Sequence, residues 1–457
     1  MPAPRKHLAA LDGLRFVAAF CVLIAHGYGY VVTQGSAALQ GPVALMLESL
    51  AVPGMTLFFV LSGFVIHLNY SGTATKDWAG TFEFFIARFS RLYPLFLAVF
   101  AFDFWRMLSV ENYFGGRPML NFDLFGPLPV YLSFTQTWLP IAHDGHLLFT
   151  HYGWLTSAAQ ATGAMWSLSL EFLFYLIYPW MGVLVSRLRG ARLVGAAVIV
   201  SLISIVYYMW CSRHTATLFD FGVRLLGAEE PAREFQAWAG FYSPLGRMAE
   251  FLLGAFAAQQ YLLSPKGSSI LARWPATSTT VVAAAFAGLF VALVLMHSPL
   301  GLFIGLCTAS LVALLMLLAV RHSTWISRAL SGAVIVSLGE SSYSLYLLHW
   351  YTLTQWVGPY ATPLSFVGRI VVFLVGIAAT LAIARLVYVF YERPSLRWLR
   401  RNFKPLRLHL VLGVAFIVST AFSLAASMQV HSVWYFCQSA SAVDCSALGI
   451  ARAPGGR

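Results

Sequence analysis

Arg15 and His26 stand in one apolar run that reads Leu11-Asp12-Gly13-Leu14-Arg15 and ends at Ile24-Ala25-His26. A charge in hydrocarbon costs at least ~2.5–3.5 kcal/mol, so a helix serving only as an anchor would not carry one. Eleven helical steps of about 100° bring the two side chains to the same face, about 16 Å apart along the axis. That face offers a cation for anions near one membrane surface. It also offers an imidazole for proton transfer far toward the other.

Three further constellations have the composition of chemistry. Arg88 and Arg91, in Ala87-Arg88-Phe89-Ser90-Arg91-Leu92-Tyr93-Pro94, are neighbours on a helical surface, and paired guanidiniums suit bidentate phosphate binding. Trp166-Ser167-Leu168-Ser169-Leu170-Glu171 places a carboxylate about 10 Å inside a span that begins near Gly163. An intramembrane carboxylate is a functional candidate unless it merely partners an arginine such as Arg247 or Arg369. Ser341-Ser342-Tyr343-Ser344-Leu345-Tyr346-Leu347-Leu348-His349 supplies small polar residues, two tyrosines and a histidine near mid-membrane; His349 is either catalytic or a positioner of another group. Phe58-Phe59-Val60-Leu61-Ser62-Gly63-Phe64 reads as close helix packing through Ser62 and Gly63. His143, His146 and His151 match no zinc spacing, so no metal is expected.

The elements that must position these residues are membrane helices. The chain has 457 residues, 59% hydrophobic and 10% charged, against about 25% charged in soluble proteins. Runs long enough to span a bilayer (about 20 apolar residues) fall at roughly 9–31, 44–68, 92–109, 164–185, 193–210, 244–263, 277–296, 299–320, 337–357, 365–390 and 408–428. The expected fold class is therefore an all-α polytopic membrane protein: a ten-helix unit plus an eleventh transmembrane helix. The stretch 128–141 is too short and Pro-rich to span, and reads as interfacial or re-entrant. Asp12 and Arg15 interrupt what would be the apolar core of a cleaved signal peptide.

Orientation follows from Lys and Arg placement. With the N-terminus inside, the cytoplasmic segments hold Arg5 and Lys6, Arg88 and Arg91, Arg187, Arg189 and Arg192, and the run from Arg393 to Arg407. The outside segments hold only Arg106, Arg117, Arg213, Arg224, Arg233, Arg452 and Arg457. The formal charge of +12 is thus topology plus affinity for anionic membrane lipids. Spread over many short loops, it does not point to nucleic acid. An extracytoplasmic tail permits a Cys437–Cys445 disulfide, with two free thiols as the alternative.

Taken in order and on the correct sides of the membrane, these motifs resemble the acyltransferase-3 family of bacterial integral membrane proteins. The resemblance covers roughly residues 8–395. It rests on Leu-Asp-Gly-Leu-Arg with its Arg-x10-His spacing, Phe-Phe-Val-Leu-Ser-Gly-Phe, Arg-x-x-Arg-x-Tyr-Pro, Trp-Ser-Leu-Ser-Leu-Glu and Tyr-Ser-Leu-Tyr-Leu-Leu-His. It implies a transmembrane acyltransferase domain over 1–395. A basic cytoplasmic linker, the eleventh helix and a short extracytoplasmic tail then fill 396–457. It also implies transfer of an acyl group, usually acetyl, from cytoplasmic acyl-CoA to a hydroxyl on a surface carbohydrate or glycolipid. Lipopolysaccharide O-antigen, exopolysaccharide and Nod factor are acceptors in the family, and some members instead acylate macrolide antibiotics, which is the alternative acceptor class. The location implied is the bacterial inner membrane, with the N-terminus cytoplasmic and the C-terminus extracytoplasmic.

Arg15, His26, Arg88 and Arg91 match positions the family treats as essential, and Glu171 matches its carboxylate. The roles expected on this basis are acetyl-CoA binding by Arg15, Arg88 and Arg91 and general-base catalysis by His26, with Glu171 and His349 as further catalytic candidates. In that scheme Glu171 orients the His26 imidazole as the acid of a triad does. Many polysaccharide-modifying members continue into an extracytoplasmic SGNH hydrolase-like domain, which is not expected here. The competing reading is a transporter or flippase of a lipid-linked sugar or antibiotic. Buried charge and many spans suit that too, but no internal repeat is visible.

Overall fold

In the computed structural model the described residues are 8–113, 128–263, 274–295 and 301–402, apart from 35, 37–38, 40, 73–76, 141, 144–145, 148–164 and 228. The expected eleventh span, the Cys437–Cys445 pair and His151 lie outside them.

The fold is a bundle of α-helices. Its elements are α1 (Ala9–Gly27), α2 (Pro42–Ser49), α3 (Ala51–Tyr70), α4 (Trp78–Tyr113), α5 (Leu128–Leu132), α6 (Trp166–Arg187), α7 (Gly190–Arg213), α8 (Thr215–Leu226) and α9 (Glu229–Ala237). There follow α10 (Pro244–Leu263), α11 (Pro275–Leu295), α12 (Gly301–Arg321), α13 (Trp325–Leu330), α14 (Ala333–Glu340), α15 (Ser342–Trp350), α16 (Gly358–Ala361), α17 (Phe366–Val387) and α18 (Arg393–Asn402). Two-residue strands, Ala142–His143 and His146–Leu147, pair antiparallel. Among the described residues seven helices are long and apolar enough to cross a membrane. The helix at 244–263 forms as expected, but Arg247 and Glu250 dilute its apolar character.

The centre of the bundle is α3, a predominantly apolar helix with no single polar face. Phe59, Val60 and Phe64 are fully buried, as expected of a helix enclosed by others. Its most extensive partner is α10, and the crossing depends on two glycines. A Cβ on Gly63 would lie 1.9 Å from the Phe251 carbonyl oxygen, and one on Gly254 1.9 Å from that of Val60. Small residues let the two backbones touch, which is how helices gain dispersion contacts where lipid removes the hydrophobic driving force. Outer helices are built oppositely. Val194, Val198, Ile199, Leu202, Ile203 and Val206 form an exposed stripe along α7, a surface suited to lipid tails.

Three departures from the expected spans bear on the site. The segment 337–357 is not one helix: it breaks at Ser341 between α14 and α15. The chain leaves α15 through a π-helical segment, Tyr351–Val357. The stretch 128–141 forms the short α5 and a tight turn through Phe134 at φ 57°. Ser133, Thr135, Gln136 and Thr137 are all buried there, and Trp138 Nε1 donates to the Ser169 carbonyl of α6 at 3.0 Å.

Candidate active site

α1 carries one residue set at each of its ends. At the histidine end, His26 Nδ1 lies 2.9 Å from His349 Nε2, with the two ring planes 15° apart. His349 Nδ1 lies 2.5 Å from the Tyr346 carbonyl oxygen, one turn back on α15. A carbonyl only accepts, so Nδ1 of His349 carries its proton, and Nε2 of the neutral ring is an acceptor. His26 must then donate from its own Nδ1, which puts the basic lone pair of His26 on Nε2. His349 is 1% exposed and His26 half-buried, so His26 is the more accessible ring of the pair.

The backbone around both histidines has the same irregularity. Two residues after His26 the chain becomes π-helical over Tyr28–Thr33; two residues after His349 it does so over Tyr351–Val357. Single π turns inside α-helices shift side chains off their regular register and occur often at functional sites. Trp350 presses edge-on against His26, with ring centroids 5.1 Å apart. The Tyr346 hydroxyl meets Ser167 Oγ at 2.7 Å, tying the Trp-Ser-Leu-Ser-Leu-Glu motif to the helix that carries His349.

Glu171 is one turn beyond Ser167 on α6, about 6 Å further along the axis, and that turn carries it away from the histidines. The triad arrangement would have Glu171 orient His26, but the hydrogen bonds of Glu171 go to other residues. Its Oε1 accepts from Ser62 Oγ at 3.1 Å and from the Tyr175 hydroxyl. Its Oε2 is buried without a hydrogen-bond partner. His349 occupies the place beside His26 that the sequence reading gave to Glu171. Ser62, read as a packing residue, also bonds to this carboxylate.

The arginine end is a cavity of about 30 Å³ lined by Arg15, Arg88, Arg91, Glu171, Ser62 and Tyr175, among others. Arg15 pairs with Asp12, one turn back at the start of α1. That start is clamped: a Cβ on Gly339 of α14 would meet the Asp12 carbonyl oxygen at 1.9 Å. Arg88 donates from Nη2 to the Tyr70 hydroxyl at 3.1 Å. Its guanidinium lies over the rings of Tyr70 and Tyr175, at 5.1 and 5.8 Å, and its Nε is buried without a partner. The three arginines are close enough for their charges to repel. Arg88 and Arg91 have no carboxylate within ion-pair distance among the described residues. Converging guanidiniums with unused donors are the makings of an anion site.

Neither arginine proposed as a structural partner for Glu171 serves it. Arg369 donates to three carbonyls, of Val32, Thr362 and Leu364. Arg247 pairs with Glu250 at 2.7 Å, both side chains fully buried, with Thr56 donating to the same carboxylate and the guanidinium 3.7 Å from the Phe241 ring centroid. The sequence reading missed this pair, although Arg-x-x-Glu inside an apolar helix was its visible signal. It also missed Glu392, which is buried and accepts from Ser344 Oγ at 2.5 Å. No group of three or more His, Cys, Asp or Glu side chains that could hold a metal occurs among the described residues.

The acyltransferase domain model of the acyltransferase-3 family matches residues 8–389. The acyltransferase MdmB of Streptomyces mycarofaciens is 27% identical over 88% of this chain and 95% of its own length. The peptidoglycan O-acetyltransferase OatA of Listeria monocytogenes is 25% identical over 85% of this chain but only 56% of its own. Nodulation protein 10 of Rhizobium leguminosarum is 26% identical over 38% of this chain. No solved structure matches. A helical bundle with apolar outer faces and a family match over most of its length lead to one assignment: the chain belongs to the acyltransferase-3 family and is a multi-pass membrane acyltransferase.

Proposed function

We propose that the protein moves an acyl group, acetyl in the simplest case, from acyl-CoA at the arginine end to a hydroxyl of a surface carbohydrate or glycolipid at the histidine end. The arginine end faces the cytoplasm of a bacterial inner membrane and the histidine end faces outward, as the Lys and Arg bias indicates. Arg15, Arg88 and Arg91 hold the donor phosphates. The pantetheine arm runs along α1 over the roughly 16 Å between Arg15 and His26. The cavity of about 30 Å³ is water-sized, so donor entry requires the arginine side chains to swing apart.

The observation that carries this reading is the relay from the Tyr346 carbonyl through His349 to His26. His26 Nε2 takes the proton of the acceptor hydroxyl as its oxygen attacks the thioester carbon. The tetrahedral intermediate collapses, the C–S bond breaks, and the thiolate recovers that proton from His26 to leave as CoA-SH. General base catalysis of this kind contributes about 10²–10⁴-fold. His349 is a positioning residue here: its neutral Nε2 holds the Nδ1–H of His26 and steadies the imidazolium. Glu171 belongs to the donor cavity.

The peptidoglycan O-acetyltransferase OatA favours a carbohydrate acceptor. The test is mass spectrometry of surface glycans from cells with and without the gene. An acyl increment of 42 Da for acetyl, restored by the wild-type chain, supports the reading; identical glycans in both would refute the acceptor class. Acyl-CoA-dependent release of free thiol from purified protein separates transfer from a transporter, which releases none.

A further inference from the structure

The family match ends at residue 389, but helix continues. A π-helical turn, Tyr388–Glu392, leads directly into α18, whose sequence Arg393-Pro-Ser-Leu-Arg-Trp-Leu-Arg-Arg-Asn402 is strongly basic. α18 packs back on α4. The Tyr391 hydroxyl donates to the Pro94 carbonyl at 3.1 Å, and Phe89 and Tyr93 of α4 face Trp398 and Leu399 across an apolar groove. This seating sets Leu399, the chain neighbour of Arg400, in the same groove as Phe89, which lies between Arg88 and Arg91 in the sequence. Arg400 is exposed, whereas Arg88 has a buried, unpartnered Nε. Among the described residues no carboxylate lies within ion-pair distance of any of these three arginines. The protein thus carries guanidiniums from the buried cavity, at Arg15, Arg88 and Arg91, to the surface, at Arg400, and among the described residues no acidic side chain pairs with the outer ones.

A CoA donor is graded in the same order. With its thiol toward His26, the pantetheine arm comes next, then the diphosphate, and the monophosphate on the ribose 3′ carbon lies outermost. We infer that Arg400 binds this 3′-phosphate, leaving Arg15, Arg88 and Arg91 for the diphosphate. The inference rests on the donor reading above and adds a specificity determinant from outside the matched domain. A phosphate monoester carries about −1.5 to −2 charges at neutral pH, and a guanidinium meets it with two parallel N–H donors.

The test measures dissociation constants of CoA and 3′-dephospho-CoA for the full chain in detergent by titration calorimetry. The wild type is expected to prefer CoA by about tenfold, the worth of one charge-assisted contact. Arg400→Ala should erase that preference while leaving the dephospho-CoA affinity unchanged, which also shows that the variant is folded. Arg397→Ala, on the same basic helix, should keep the preference. Equal wild-type affinities for the two ligands, a preference that survives Arg400→Ala, or one lost equally in Arg397→Ala would each overturn the inference while leaving the donor reading standing. If the wild type bound neither ligand, the donor reading would fall and the inference with it.

Discussion

His349 Nε2 accepts from His26 Nδ1 across 2.9 Å, and its own Nδ1 is held by the Tyr346 carbonyl. In this pair a second imidazole, rather than a carboxylate, sets the tautomer of His26. His349→Leu removes the acceptor but keeps the apolar volume. With a hydrogen bond to a charged group worth about 1.5–3 kcal/mol, kcat should fall about 10–100-fold while KM for acyl-CoA stays near its wild-type value. Steady-state kinetics on purified protein checks this. His349→Gln, whose amide oxygen can accept from Nδ1–H, should recover part of the loss.

Arg88 is fixed by shape as well as charge, bonded to Tyr70 and lying over both Tyr70 and Tyr175. Lysine keeps the charge but lacks the planar fork. Arg88→Lys should therefore raise KM for acyl-CoA about tenfold with a smaller effect on kcat. An unchanged KM would remove Arg88 from the donor site.

Glu171 separates two arrangements by kinetics. Beside His26, as the sequence implied, its loss would lower kcat at constant KM. In the donor cavity, bonded to Ser62 and Tyr175, Glu171→Gln should alter KM for acyl-CoA more than kcat. Glu171→Ala strands two buried hydroxyls and should cost about 1–3 kcal/mol of stability, seen as a lower unfolding temperature in detergent. Glu171→Gln, which retains an acceptor oxygen, should unfold near the wild-type temperature.

The fully buried Arg247–Glu250 pair calls for a double-mutant cycle. Removing one partner of such a pair leaves an uncompensated charge and costs about 3–5 kcal/mol, whereas replacing both with apolar residues is often neutral. Arg247→Met and Glu250→Leu should each lower the unfolding temperature sharply, and the double variant should recover most of it.

How far the sequence reveals this molecule depends on which interactions are local. The positions of α1, α3, α6, α7, α11 and α17 follow from apolar run length, because each helix satisfies its own backbone in lipid. Arg15 and His26 share a face because helical periodicity is local too. The pairing of His26 with His349 joins residues 323 positions apart, and no periodicity reports that. The neighbours of Glu171 are equally non-local: they depend on how α6 is rotated against α3, where Ser62 meets the carboxylate across 109 positions of chain. The break at Ser341 escaped hydropathy, since 337–357 is apolar on both sides of it.

The most direct measurement is transfer of labelled acetyl from acetyl-CoA to membranes carrying the native acceptor, comparing wild type with His26→Ala at equal amounts of folded protein. Transfer should fall by about 10²–10⁴-fold, with CoA affinity and unfolding temperature unchanged. Near-normal transfer by His26→Ala would contradict the account, because no other residue described here takes the acceptor proton.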